Sequence, residues 1–174
     1  MRTIVGRSVA DIRLAASLPP NHALFSLEHF IDDVRQLASF EAVASQCEFS
    51  VSMVDSALAV EADRDLLFSA VTNLLKNAFK FTGCGTKVWL TAYAEGDRVI
   101  IDVQDHCGGL GEANKEDFFV PFRNIGSKKV GLGLGLSVSR LNVEANKGTL
   151  SVRDVPGSGC VFTISLPRHA MPEV

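Results

Sequence analysis

Residues 65–82 constrain the fold of this chain most strongly, because they form a long run without glycine or proline. Apolar side chains recur in the run at spacings of three and four, which predicts a helix with one buried face: Leu67, Val71, Leu74 and Ala78. A polar set falls roughly 100° around the same helix: Asn73, Asn77 and Lys80. Carboxamide oxygens suit a hard cation and lysine suits phosphate. The pattern therefore predicts either a helix that is half core and half site wall, or an ordinary amphipathic helix with a solvated side.

Length and charge exclude several classes of protein. The 174 residues correspond to one domain of ordinary size, and the net charge of −3 argues against a general nucleic-acid partner. The four cysteines form no Cys-x-x-Cys pair, so a zinc site is not expected and a reduced, cytoplasmic compartment is. No apolar run approaches the length of about eighteen residues that a membrane span needs. We expect no direct membrane contact by this chain, although a larger parent protein could be membrane-anchored.

The chain divides at Pro19 and Pro20. Residues 3–17 show a helical pattern that is too short to be stable alone, and the two prolines end it and stiffen the joint. We expect a helix end at 1–18, a linker at 19–24, the main domain at 25–167 and a loose tail at 168–174.

The main domain alternates few helices with strands joined by hairpins, and no βαβ series occurs. This predicts an α+β two-layer sandwich, in which a mixed β-sheet packs against three helices. The predicted elements are a strand at 25–27, helices at 26–46, from 63 or 64 to 82, and at 134–146, strands at 49–54, 58–61, 87–95, 98–104, 149–154 and 160–166, and a helical turn at 116–119.

A glycine loop with the spacing Gly-x-Gly-x-Gly leads directly into the last helix, at Gly131, Gly133 and Gly135. Glycines let the backbone approach an anion, and a helix N-terminus offers unpaired N–H groups. The spacing and the preceding polar loop exclude the Rossmann fingerprint, and no P-loop or eukaryotic protein kinase motif occurs. Basic residues precede the loop, which favours a phosphate site over a solvated basic segment: Arg123, Lys128 and Lys129.

Asp105 follows an apolar strand and precedes Gly108 and Gly109. A carboxylate in this position can accept a hydrogen bond from a ligand's amino group, while glycines let the backbone come close. The alternative is an aspartate that only forms a turn.

Five motifs in order resemble those of one family. The segments that resemble its motifs are 73–82 (N), 105–109 (G1), 119–122 (F), 131–136 (G2) and 157–162 (G3). The family is the ATP-binding catalytic domain of bacterial sensor histidine kinases, in the gyrase and histidine-kinase ATPase superfamily. The resemblance covers residues 25–167 and implies the Bergerat ATP-binding fold, with ATP and Mg²⁺ as cofactors.

The resemblance implies roles for the polar residues. Asn77 is expected to ligate a Mg²⁺ ion that bridges the ATP phosphates, with Asn73 close by. Lys80 is expected to contact phosphate, and Phe81 to help wall the nucleotide pocket. Asp105 is expected to accept a hydrogen bond from the exocyclic amine of adenine.

The G2 glycines are expected to hinge a lid and to present N–H groups to phosphate. A lid cation would neutralise charge during transfer, and the resemblance does not choose among Arg123, Lys128 and Lys129. The further residues expected at the nucleotide are Gly109, Phe122, Gly131, Gly133, Leu134, Gly135 and Leu136.

The chain departs from the family pattern at three places. Cys107 stands where the family has its first G1 glycine, Cys160 stands where it has the G3 threonine, and the lid at 123–130 is short. These changes bear on the fit at adenine and on lid ordering, but they remove no proposed charge or metal ligand.

The lead-in at 1–18 resembles the end of a second dimerisation helix. None of the four histidines, His22, His29, His106 and His169, has the phosphoacceptor pattern. We therefore expect an acceptor histidine on a separate dimerisation domain of the parent kinase, and a response regulator downstream.

Three functions compete. The first is a phosphotransferase domain for that histidine. The second is an ATPase of the same superfamily, which needs a general base where this chain has Asn73, a residue that cannot take a proton at neutral pH. The third is a degenerate ATP-binding module.

Overall fold

A computed structural model describes residues 18–83, 85–111, 114–121 and 135–172 of the chain. The helix predicted within 1–18 lies outside these ranges, apart from Leu18. Over the described part, the elements are β1 (Ala23–Ser26), α1 (Leu27–Ala44), β2 (Glu48–Val51), β3 (Leu58–Ala62), α2 (Arg64–Phe81), β4 (Lys87–Glu95), β5 (Arg98–Gln104), a 3₁₀ turn (Lys115–Phe119), α3 (Gly135–Ala145), β6 (Thr149–Val155), β7 (Gly159–Pro167) and β8 (His169–Ala170).

Five strands form the main sheet in the order β2-β4-β5-β7-β6. β2 runs parallel to β4, whereas the other three neighbouring pairs are antiparallel. The hairpin between β4 and β5 pairs Glu95 with Arg98, and a turn with Gly96 at φ 60° closes it. The predicted mixed sheet is confirmed.

A second, smaller sheet in the order β1-β3-β8 was not predicted. His169 pairs with Ala59 and Ala170 pairs with Leu58, so the expectation of a loose tail is wrong at these two residues. β1 also begins at Ala23, inside the segment predicted as linker. The sequence did not predict this sheet because β1 and β8 are too short to show a periodic pattern. Their pairing depends on the edges of β3, which the rest of the fold supplies.

The helices pack against the sheets through one continuous core. Large side chains from the helices and from the central strands are completely buried in it: Phe30 of α1, Leu67 and Leu74 of α2, Ile101 of β5 and Ile164 of β7. Burying each of these side chains contributes about 1.5–3 kcal/mol. The result is the predicted α+β sandwich of a mixed sheet and three helices.

The start of α2 is held by a capping residue and by neighbouring segments. The Asp63 carboxylate accepts hydrogen bonds from the amides of Asp65 and Leu66 at 3.1 and 3.2 Å, as an N-cap does. Its other oxygen accepts from the amide of Asn21 at 2.8 Å, and the Asp63 amide donates to Asn146 Oδ1 at 2.7 Å. The predicted helix start is confirmed, and the segment after the prolines is tied to it.

No helix in the described ranges combines the length and the apolar character that crossing a bilayer demands.

Candidate functional site

The helix α2 has the two faces that its sequence predicts. The side chains of Leu67, Val71 and Leu74 are completely buried. Asn73 and Asn77 lie on the partly exposed flank, and neither carboxamide has a hydrogen-bond partner among the residues that the structure describes. Their oxygen atoms are therefore available to a ligand, which favours the site-wall interpretation of this flank.

The C-terminal turn of α2 carries a cation and an exposed ring. Lys80 is exposed, and its Nζ atom lies 5.1 Å from the centre of the Phe81 ring, which is itself 41% exposed. An exposed aromatic ring beside a lysine can cover a flat ligand and hold a nearby anion. Both residues sit on the helix that carries Asn77, as predicted.

Asp105 directly follows β5 and is almost completely buried, with 4% of its surface exposed. Its Oδ1 atom accepts hydrogen bonds from the amides of Cys107 and Cys160, both at 3.1 Å. The first bond is the turn-forming contact considered for this residue, whereas the second fixes the carboxylate against β7. Oδ2 receives a weak contact from the Cys160 thiol at 3.3 Å, and a carboxylate oxygen with so weak a donor retains capacity to accept from a ligand.

The glycines after Asp105 adopt backbone conformations that other residues rarely adopt. Gly108 has φ 91° and Gly109 has φ 103°. The Gly108 amide donates to the carbonyl of Ser158 at 2.9 Å, and the Leu110 amide donates to Asp154 Oδ1 at 2.7 Å. The loop is thereby fixed to the turn between β6 and β7.

Sequence reasoning missed Asp154 as a support of this loop. A methyl group at Gly109 would lie 3.0 Å from Asp154 Oδ1, so the glycine lets the carboxylate reach the loop backbone. Its only signal in the sequence is an aspartate ahead of a Pro-Gly-Ser-Gly turn, a pattern that ordinary turns share.

Gly159 at the start of β7 allows the closest backbone approach in this region. A Cβ atom there would lie 2.0 Å from the carbonyl oxygen of Asp105. The Asp105 amide also donates to the carbonyl of Cys160 at 3.0 Å. The predicted G1 and G3 segments are therefore in direct contact.

The end of α2 is linked to the G1 loop through His106. Its amide donates to Thr82 Oγ1 at 3.2 Å, and its carbonyl accepts from the Gly83 amide at 3.3 Å. The imidazole ring packs 5.0 Å from Trp89, with Nδ1 2.7 Å from the carbonyl of Lys87. These contacts hold His106 as a structural residue between the two motifs.

The start of α3 lies beside the asparagine flank of α2. A Cβ atom at Gly135 would be 4.0 Å from Asn77 Nδ2, and Leu136 is half-buried against the core. The structure thus brings the end of the glycine loop to Asn77. Seven predicted site residues lie outside the described ranges: Phe122, Arg123, Lys128, Lys129, Gly131, Gly133 and Leu134.

Arg140 of α3 connects the predicted F motif to this helix, and sequence reasoning missed it. Its guanidinium lies 4.8 Å from the centre of the buried Phe119 ring and forms ion pairs with Glu116 at 2.8 Å and Glu144 at 3.3 Å. The hydrogen bond to Glu116 raises the pKa of Arg140 further. Phe119 in turn meets Phe162 edge to face at 6.5 Å.

Two thiols lie beside the Asp105 carboxylate. The sulfur atoms of Cys107 and Cys160 are 3.7 Å apart. Burial raises the pKa of both thiols, and the neighbouring Asp105 carboxylate adds to the rise. Both groups are therefore neutral thiols at physiological pH.

The chain is similar to known proteins over most of its length. A model of the histidine kinase-, DNA gyrase B- and HSP90-like ATPase family matches residues 62–170. The alginate biosynthesis sensor protein KinB of Pseudomonas aeruginosa is 32% identical over 124 residues, which are 71% of this chain but only 21% of that protein. The chain therefore spans about a fifth of the length of this relative.

The chain is also similar to solved structures of histidine kinases. The catalytic domain of the histidine kinase ThkA superposes with a TM-score of 0.75 at 28% identity, covering 84% of this chain and 95% of that one. Full-length ShkA in complex with AMPPNP gives a TM-score of 0.78 at 28% identity, over 93% of this chain and 34% of that one. Since the family model matches more than half of its residues, the chain belongs to the histidine kinase-, DNA gyrase B- and HSP90-like ATPase family, and within it to the catalytic domains of sensor histidine kinases.

Proposed function

We propose that this chain binds ATP with Mg²⁺ and transfers the γ-phosphoryl group to a histidine on a separate dimerisation domain of its parent kinase. The observation that carries the proposal is the convergence of three distant segments on one site. Asn77 of α2 adjoins Gly135 of α3, and Thr82 at the end of α2 is bonded to the loop that follows Asp105. The ATP-binding role is also supported by the family match and by the AMPPNP complex of the similar ShkA.

The adenine end of the nucleotide is assigned to Asp105. Its carboxylate is held by two backbone amides through Oδ1, and the Cys160 thiol, a weak donor, contacts Oδ2. A buried acceptor of this kind would recognise an exocyclic amine and reject a carbonyl at the same position, because two acceptors would face each other.

The phosphate end is assigned to α2 and to the N-terminus of α3. Asn77 offers a carboxamide oxygen that no described residue occupies, and such an oxygen fits Mg²⁺, which prefers hard oxygen ligands and retains several waters. When bound, the ion neutralises charge on the phosphates. Lys80 adds a cation on the same flank, and the glycine loop would add backbone N–H groups.

Transfer to histidine is favoured over transfer to water because of Asn73. This residue lies one helical turn before Asn77, on the same partly exposed flank, and its neutral carboxamide cannot act as a general base. The acceptor imidazole would be the nucleophile, so the site needs to position ATP and neutralise charge without activating a water molecule. The phosphohistidine would then supply a response regulator.

The proposal is tested by mixing the chain with the upstream helical domain of its parent and γ-labelled ATP. We expect an acid-labile, base-stable label on the helical domain, and none when the chain carries Asn77→Ala. Rapid release of labelled phosphate without label on the helical domain would instead indicate an ATPase. Nucleotide binding without either product would indicate a degenerate binding module.

A further inference from the structure

Three potential metal ligands converge beside the proposed adenine position. One ligand atom from each of Asp105, Cys107 and Cys160 lies within 4.8 Å of the other two. Asp105 and Cys160 are buried and Cys107 is half-buried. Because Asp105 and Cys107 lie in the loop after β5 and Cys160 lies at the start of β7, the chain spacing of the cysteines could not reveal the cluster.

The separations match those of a tetrahedral site. With Zn–S bonds of about 2.3 Å and Zn–O bonds of about 2.0 Å, tetrahedral angles place two sulfurs about 3.8 Å apart and a sulfur and an oxygen about 3.5 Å apart. The observed distances are 3.7 Å between the two sulfurs, and 3.5 and 3.3 Å from Cys160 Sγ to the two oxygens of Asp105. The third pair, the Cys107 sulfur and an Asp105 oxygen, lies within 4.8 Å, so two of the three separations match a tetrahedral site and the third needs at most a small movement.

The charge environment also favours a cation. Within the described ranges, Asp105 forms no ion pair with a basic side chain, and its neighbours are backbone amides and two thiols. The pKa of each thiol is raised because burial and the carboxylate oppose a further negative charge there. A divalent cation reverses this effect, since it stabilises the thiolates that coordinate it.

We propose that Asp105, Cys107 and Cys160 form a binding site for a thiophilic divalent cation of the Zn²⁺ class, and that the bound ion excludes the nucleotide. Binding replaces the two S–H bonds by two metal–sulfur bonds and releases two protons to solvent, while a carboxylate oxygen and a water complete the coordination. The exclusion rests on the proposed function, because the ion engages the same Asp105 carboxylate that would accept from adenine. Thiolate ligands discriminate against Mg²⁺, so a Mg²⁺ ion held at Asn77 would not compete for this site.

A disulfide is the less favoured use of these thiols. The sulfurs would have to approach from 3.7 Å to about 2.05 Å, and an oxidant would have to react with thiols whose raised pKa leaves little thiolate. A metal ion requires neither an oxidant nor that approach.

The metal site is tested first without nucleotide. The purified full chain is kept in a phosphine reductant that binds no metal, and is titrated with Co²⁺ by absorption and with Zn²⁺ by calorimetry. We expect one equivalent of ion and a thiolate-to-cobalt charge-transfer band. Binding of more ions with no such band, or binding that is unchanged in the cysteine variants below, would overturn the site.

Matched variants identify the ligands. Removal of a residue that only orients a metal ligand weakens binding by roughly 10–100-fold. Cys107→Ser and Cys160→Ser each remove a ligand itself, so each should weaken Zn²⁺ binding by more than that. Cys47→Ser should have no effect, because Cys47 contacts the carbonyls of Ser45 and Phe79 instead. Cys107→Ser decides the test if the buried Cys160→Ser fails to fold, and circular dichroism verifies the fold of each variant.

The pH dependence provides a second measurement. Because two neutral thiols must lose their protons, the Zn²⁺ association constant should rise by about two orders of magnitude per pH unit below the thiol pKa values. Calorimetry in buffers of different ionisation enthalpy should count two protons released. A pH-independent constant would contradict coordination by both thiols.

Competition with nucleotide is measured last. If the proposal holds, saturating Zn²⁺ lowers the affinity for AMPPNP in the unsubstituted chain and has no effect in Cys107→Ser. Unchanged affinity in the Zn²⁺-bound chain would overturn the exclusion. Failure of the metal-free chain to bind AMPPNP would overturn the proposed function, whereas the Zn²⁺ titrations would stand on their own.

Discussion

Asn77 shows how far a single residue can be interpreted from local pattern. Its position four residues after Asn73 on a helix with a buried opposite face predicts that its side chain is accessible, and the structure has it partly exposed. Its neighbour Gly135 is 58 positions away along the chain. A Cβ atom at Gly135 would lie 4.0 Å from Asn77 Nδ2, and only the packing of α3 on α2 brings the two residues together.

Substitution of Asn77 tests its proposed role directly. Asn77→Ala removes the carboxamide oxygen offered to Mg²⁺, so we expect binding of Mg–ATP to be abolished in isothermal titration calorimetry. The fold should persist, because the side chain has no hydrogen-bond partner in the described ranges.

Lys76→Ala provides the matched control, since Lys76 is an exposed residue on the preceding position of the same helix. It should bind Mg–ATP as the unsubstituted chain does. Unchanged nucleotide affinity in Asn77→Ala would refute the assignment of the metal ligand.

At the scale of secondary-structure elements, the link between the 3₁₀ turn and α3 depends on Arg140. Its guanidinium covers Phe119 and pairs with Glu116 of the turn and Glu144 of α3. The side chain is one-third exposed, so solvent screens these ion pairs. The link therefore positions the turn against α3 more than it stabilises the whole domain.

Arg140→Gln should lower the free energy of unfolding modestly. An exposed ion pair contributes about 0.2–1 kcal/mol and an exposed cation–π contact about 0.5–1 kcal/mol, so we expect a loss of about 1–2 kcal/mol in urea unfolding. The loss should shrink at high salt, because the ionic part is screened.

Arg35→Gln is the control for this change. Arg35 forms an exposed ion pair with Asp32 at 3.0 Å within α1 and covers no ring in the described ranges. Its effect should stay within about 0.5 kcal/mol. Equal effects of the two substitutions would show that the contact with Phe119 contributes nothing.

At the scale of the whole molecule, the proposed reaction needs an acceptor outside the histidines of this chain. His106 is held by Trp89 and by the carbonyl of Lys87, and His22 lies 3.1 Å from the carbonyl of Ala145. His169 is near Glu61 in the small sheet. None of these three lies on an exposed helix. His29 is exposed in the first turn of α1, but the residues after it do not have the phosphoacceptor pattern.

The isolated chain should therefore show negligible self-phosphorylation with γ-labelled ATP, and it should be monomeric in sedimentation experiments. Calorimetric binding of ATP in the same preparation is the control for a functional site. A stable label on the chain that survives base and is lost in acid would contradict the expectation.

The sequence by itself determined most of the helices and strands, and it determined the polar flank of α2 that carries Asn73 and Asn77. The β4 and β5 strands match their predicted bounds, because alternation of apolar residues is a local property that strand formation preserves. Helical periodicity likewise placed the buried and polar faces of α2. The order of helices and hairpin-joined strands was enough to predict the α+β fold, since each element is read from neighbouring residues.

Tertiary structure alone decided the contacts between distant segments. Cys107 and Cys160 stand 53 positions apart and appeared in the sequence as two unrelated departures, yet their sulfurs lie 3.7 Å from each other. Asp154 of β6 reaches the loop after Asp105 at the amide of Leu110, and the tail pairs with β3 at Ala170. Such contacts depend on how strands align across the sheet and on which loops the alignment brings together, and no periodic pattern along the chain records that alignment.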